Sequence, residues 1–126
     1  MTTTATFSNG FTDTYKGTRP VKAAWLVTDK ATGKVLASGH SLDIVKARKT
    51  AEGTATQKGF DGTHTIDIPS RRFGTTVRDL QYLLTAGRKA GIEGATIHNA
   101  QKLALAHNAV INAACRARCT IEVIAL

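Results

Sequence analysis

Apolar and polar positions follow a period of two through the first third of the chain and a helical period through most of the rest. Residues 23–28 alternate around Trp25 and Val27, 29–34 hold turn residues, and 35–38 return, which predicts a β-hairpin. Ser41 stands where a helix N-cap belongs, and Asp43 falls in the first turn, where a carboxylate favours the helix dipole. Residues 42–58 then repeat at Ile44, Ala47, Ala51 and Ala55, a helical stripe that Gly53 weakens and Gly59 ends. Lys46, Arg48 and Lys49 crowd one turn of it, with Lys46 and Lys49 pointing away from the stripe. In this hairpin-to-helix stretch, residues 22–59, turn, cap and periodicity agree.

The flanking segments extend the pattern. The opening is rich in Thr, with Phe7, Phe11 and Tyr15 between, and Asn9-Gly10 is a type I′ turn signal. It predicts a short hairpin with Phe11 and Tyr15 on one face, residues 1–5 mobile, and a basic loop over 16–20. Residues 63–68 alternate with His64, Ile66 and Ile68 on one side until Pro69, the pattern of a strand. Ser70-Arg71-Arg72-Phe73-Gly74 follows as a basic loop with one aromatic. Thr76 and Asp79 resemble a capping box ahead of a helix repeating at Val77, Leu80, Leu84 and Gly87, widened by Leu83. Arg88 and Lys89 occupy its last turn, and Gly91-Ile92 fits a glycine C-cap. Residues 97–116 are Ala-rich and helical, with Leu103, Ala106, Val110, Ala113 and Ala117 as the stripe, widened by His107, Ile111 and Ala114. Residues 120–126 are apolar on both faces, as in a strand lying mid-sheet. The prediction is one α+β domain over 1–126. Its sheet is mostly antiparallel, made of two hairpins, one further strand and the C-terminal strand, with three helices packed on it.

Composition adds an electrostatic bias. Lys and Arg number 17 against 9 Asp and Glu, a formal charge of +8. A field of that sign draws in polyanions, so nucleic acid, an anionic nucleotide or an acidic protein surface is the expected partner. No apolar run is long enough to span a bilayer, and residues 1–4 resemble no targeting segment, so a soluble cytosolic chain without a membrane partner is expected. Cys115 and Cys119 are the only cysteines, sparse usage that fits a reducing compartment.

Three sets of residues are candidates for chemistry. The first is basic: Lys46 and Lys49 on the first helix, Arg71 and Arg72 beside Phe73, then Arg78, Arg88 and Lys89. Phosphates need several cations on one surface, and Phe73, Tyr15 and Phe11 are candidate platforms for unpaired bases. The second is a polar helix face of Gln101, Asn108 and Asn112 with Arg116 and Arg118, suited to a ligand or a subunit interface. Asn is a poor mid-helix residue, so two of them one turn apart call for a reason. The third is the trio of carboxylates Asp29, Glu52 and Asp67. His107 and Cys115 share a helical stripe with Ile111 and read as core rather than zinc ligands. Thr32-Gly33-Lys34 lacks the spacing of a P-loop.

The hairpin and the helix bearing Ala47-Arg48-Lys49-Thr50-Ala51 and Ala55 resemble the C-terminal half of a double-stranded-RNA-binding domain, which has A-K-x-x-A-x-x-x-A in a basic helix after its strands. The likeness covers about a third of the chain, and that family's N-terminal helix has no counterpart in the Thr-rich opening. The order of Asp29, Glu52 and Asp67 is similar to that of the metal-binding carboxylates in RNase H-like nucleases, which implies magnesium-dependent cleavage. That fold has three strands before its helix, where this pattern has one hairpin. In size and character the chain is also similar to small inhibitory and sequestering proteins of phages. The leading expectation is a non-enzymatic polyanion-binding protein without a cofactor, most of all for nucleic acid. Its surface is the basic helix face and the Arg71-Arg72-Phe73 loop. The alternatives are a homo-oligomer, such as a dimer, that sequesters an anionic nucleotide or inhibits a partner protein, and the nuclease.

Overall fold

A computed structural model describes residues 2–69 and 76–126. In chain order the elements are β1 (Thr3–Thr6), β2 (Thr12–Tyr15), β3 (Ala23–Asp29), β4 (Val35–Ser41), α1 (Ile44–Lys58), α2 (Val77–Lys89), α3 (Ala100–Ala117) and β5 (Cys119–Ala125). The fold is mixed α+β, with one antiparallel sheet of two strands, another of three, and three helices among the described residues. Contacts cluster into two compact units, residues up to Phe60 with Ala114–Leu126, and Asp61–Ala113.

The first unit is built around β3, which lies between β4 and β5 and is antiparallel to both. Ala23 to Val27 are buried without interruption because the strand is covered on both faces. Ala23, Trp25 and Val27 pack against Ala47, Ala51 and Ala55 of α1, with Ile121 and Val123 alongside. Ala24 and Leu26 meet Ala5 and Phe7, joined by Phe11 and Ile124. The C-terminal strand, expected mid-sheet, is instead an edge, since among the described residues β5 pairs with β3 alone. Its apolar residues on both faces report a helix above and a hairpin below. Lateral position is a separate matter, which burial of both faces does not encode.

Local chemistry corrects several boundaries. Ser41 is not the N-cap of α1: its carbonyl accepts from Lys22 N–H at 3.0 Å, which holds it in β4. Asp43 takes that role, extended and accepting Lys46 N–H at 2.8 Å. Ile44, placed on the buried stripe by periodicity, is 48% exposed. The Asn9-Gly10 turn is not type I′. That turn needs positive φ at both central residues, whereas only Gly10, at 86°, has it. Phe7 C=O accepts Gly10 N–H, and the Asn9 carboxamide accepts Phe11 N–H at 2.9 Å. Gly59 ends α1 in a right-handed conformation, so it is required by space instead of by φ. A Cβ there would collide with the carbonyl of Cys115.

In the second unit, residues 63–68 form no strand, contrary to expectation. The alternation holds only in part: His64 is exposed, Ile68 is half-buried, and Ile66 is buried between exposed Thr65 and Asp67. Its backbone is satisfied by a side chain, however. Asn108 accepts Ile66 N–H at 2.9 Å and donates to Ile66 C=O at 2.6 Å, taking the place of a neighbouring strand. Ile66 packs with Leu83 of α2 and Ala100 and Ala104 of α3. The core face of α3 therefore differs from the predicted stripe. Asn108 and Ile111 are half-buried, while Val110 is 68% exposed and Ala106, Ala113 and Ala117 are exposed. α2 begins as predicted, with Thr76 accepting Asp79 N–H and donating to the Asp79 carboxylate. It closes with Gly91 N–H on Arg88 C=O and Ile92 N–H on Gly87 C=O, a Schellman motif with Ile92 turned into the core.

Candidate functional site

α1 is held to the sheet through three alanines with no exposed surface. Such short side chains bring the helix close to β3 and leave its far side wholly to solvent. Lys46, Arg48 and Lys49 are exposed on that side. Neither Lys46 nor Lys49 has an ion-pair partner among the described residues. Ile44 and Val45, 62% exposed in the latter case, border the cations, and a shallow depression is lined by Ile44, Val45, Arg48, Lys49 and Glu52.

A second depression in the same unit lies where β2, the 16–22 loop, the end of β4 and the start of α1 meet. Tyr15, Arg19, His40, Ser41 and Lys46 line it. His40 is held by register opposite Ala24. Its ring lies against Tyr15 at 5.6 Å between centroids, and its Nδ1 is 3.4 Å from the Asp13 carboxylate. The imidazole is only 3% exposed, and its Nε2 has no hydrogen-bond partner among the described residues. Sequence reasoning passed over Arg19 and His40. The signal for Arg19 was its basic loop; for His40 there was none, because Asp13 and Tyr15 approach it only through tertiary packing.

In the second unit Arg78, Arg88 and Lys89 are exposed on α2. Arg78 and Lys89 share a helix azimuth about 16 Å apart, and Tyr82, 53% exposed, stands between them on that face. Tyr82 was legible in principle, since Arg78, Tyr82 and Lys89 follow helical spacing. Arg71, Arg72 and Phe73 lie outside the described residues. Phe11 packs on Phe7 at 6.3 Å between ring centroids and Tyr15 on His40, so these two of the three proposed stacking platforms are engaged within the fold.

The polar face of α3 has structural roles at several positions. Asn108 carries Ile66, Arg116 Nε donates to Thr56 Oγ1 at 3.3 Å, and Arg118, one residue past the helix, donates to Gly59 C=O at 3.0 Å. Gln101 is half-buried and Asn112 exposed. Asp29 accepts Ala31 N–H at 2.9 Å as a turn residue, Glu52 is half-buried on α1, and Asp67 is exposed. Among the described residues no three His, Cys, Asp or Glu side chains gather as a metal site. His107 Nε2 contacts His64 C=O at 3.1 Å, and both cysteines are free thiols. Burial raises the Cys119 thiol above its ordinary pKa of 9.0, helped by Asp29 and then Cys115. It is therefore no activated nucleophile at neutral pH. No described helix is long and apolar enough to cross a membrane. No protein-family model matches the chain, and comparison with curated proteins and with solved structures finds no similar one.

Proposed function

We propose that the protein binds a polyanion without chemical conversion, nucleic acid above all, through exposed cationic helix faces. The supporting observation is α1, a helix seated on the sheet by buried Ala47, Ala51 and Ala55 that turns Lys46, Arg48 and Lys49 to solvent, with no acidic partner for either lysine among the described residues. Cations on a rigid element meet phosphates at little conformational cost, and each phosphate neutralised releases counterions. The face of Arg78, Tyr82 and Lys89 on α2 adds an aromatic between cations, which suits an unpaired base flanked by phosphates. Affinity for a duplex and for a single strand of unrelated sequence, measured against salt, tests the reading. A steep inverse dependence supports it; no binding at low salt ends it.

The edge of β5 favours a second reading, a homo-oligomer that holds an anionic nucleotide or a partner protein. Thr120 to Ala125 contains neither Lys nor Pro, and only one side of the strand is paired among the described residues. Such an edge is self-complementary for antiparallel pairing. Native mass spectrometry separates the readings: a dimer carrying a small ligand supports the second, and a ligand-free monomer opposes it.

A further inference from the structure

We infer that the groove lined by Tyr15, Arg19, His40, Ser41 and Lys46 is a discrete site for one tetrahedral oxyanion, the phosphate group of a bound polyanion. The inference rests on the polyanion reading only for the identity of its ligand. Two cations from separate segments, Arg19 and Lys46, converge on a concavity whose remaining wall includes two hydroxyl-bearing residues and the apolar Val21 and Leu42. Charge in a partly apolar hollow acts more strongly on an anion than the same charge on an open surface. The decisive feature is His40, an imidazole of the groove wall, 3% exposed, whose Nε2 has no partner among the described residues. A buried polar atom without a partner is uncommon and calls for a ligand or an ordered water.

The Asp13 contact decides how His40 acts. With Nδ1–H directed to Asp13, a neutral ring leaves a lone pair on Nε2, which repels an oxyanion. A protonated ring carries N–H on both nitrogens and adds a positive charge to the groove wall, with Asp13 3.4 Å from Nδ1. Binding and protonation of His40 are therefore coupled. The charged groups around the ring are Asp13, Arg19 and Lys46, and Tyr15 covers its face. Asp43, next to Leu42 in the chain, accepts Lys46 N–H through Oδ1 and keeps its negative charge, which opposes the anion.

Sulfate, which does not titrate in this range, is the probe. Isotope-labelled full-length protein is titrated with sulfate against chloride at constant ionic strength and followed by amide and imidazole resonances. Saturable shifts are expected at His40, Ser41 and Leu42, with affinity rising as pH falls from about 8 to about 6. Arg19→Gln and Lys46→Gln should each weaken sulfate about tenfold, and Lys34→Gln, an exposed turn lysine outside the groove, should leave it unchanged. His40→Gln should remove the pH dependence while an intact amide spectrum reports a folded chain. Shifts that never saturate, or an equal effect of Lys34→Gln, overturn the site by showing diffuse attraction only. Nucleic-acid affinity measured on the same samples keeps the two ideas apart. A protein that binds sulfate this way but no nucleic acid upholds the groove and ends the polyanion reading; the reverse ends the groove alone.

Discussion

At the residue scale, single side chains stand in for whole elements. Asn108 does for Ile66 what a second strand does elsewhere, supplying one acceptor and one donor to a backbone pair. Asn108→Ala leaves both groups partly buried without partners and should destabilise the chain by about 2–3 kcal/mol in denaturant unfolding. The Ile66 amide should lose hydrogen-exchange protection at the same time. Two glycines of the α1 region make an opposite pair. Nothing lies within 4 Å of a Cβ added at Gly53, whereas at Gly59 it meets backbone. Gly53→Ala should therefore stabilise by about 0.5–1 kcal/mol, and Gly59→Ala should destabilise and shift the Cys115 amide resonances. Equal effects of the two would refute the close approach at Gly59.

At the element scale, periodicity located helices more securely than it located their faces. α2 was legible because Thr76, Asp79, Gly91 and Ile92 mark both its ends: Thr76 caps Asp79 N–H as predicted, and the Asp79 carboxylate accepts from the Thr76 hydroxyl. α3 was legible in extent but not in rotation. In an Ala-rich helix every face is apolar enough to be buried, so a polar residue, Asn108, marks the inward side by what it bonds. α2 also exposes a face whose use can be measured. Tyr82→Ala should weaken single-strand binding by about 1–3 kcal/mol and leave duplex affinity unchanged, because only an unpaired base has a free ring to stack.

At the scale of the molecule, the formal +8 charge sets the response to salt. The slope of log affinity for duplex against log salt should fall by about 0.9 for each of Lys46→Gln and Lys49→Gln, a change read directly from competition titrations. The response to alkali has a separate origin. The Cys119 thiol is raised above 9.0 in the fold, so the unfolded chain ionises there first. That contribution to stability is complete below the unfolded pKa and is lost as pH rises through the folded one. Unfolding midpoints should decline above pH 9.0, and Cys119→Ser should flatten the decline.

The sequence alone determined the α+β class, the hairpin-to-α1 unit, both ends of α2 and the cationic bias, because each is written in neighbouring residues. Turns, caps and periods are local interactions, and net charge is a sum. Tertiary structure decided the rest. It placed β3 in the centre and β5 at the edge, removed the strand expected over 63–68, rotated α3, and occupied Arg116 and Arg118 with Thr56 and Gly59. It also brought Asp13, Tyr15, Arg19 and Lys46 to His40. Lateral strand order and the partner of a buried polar atom depend on segments far apart in the chain, and no local pattern specifies which of them will meet.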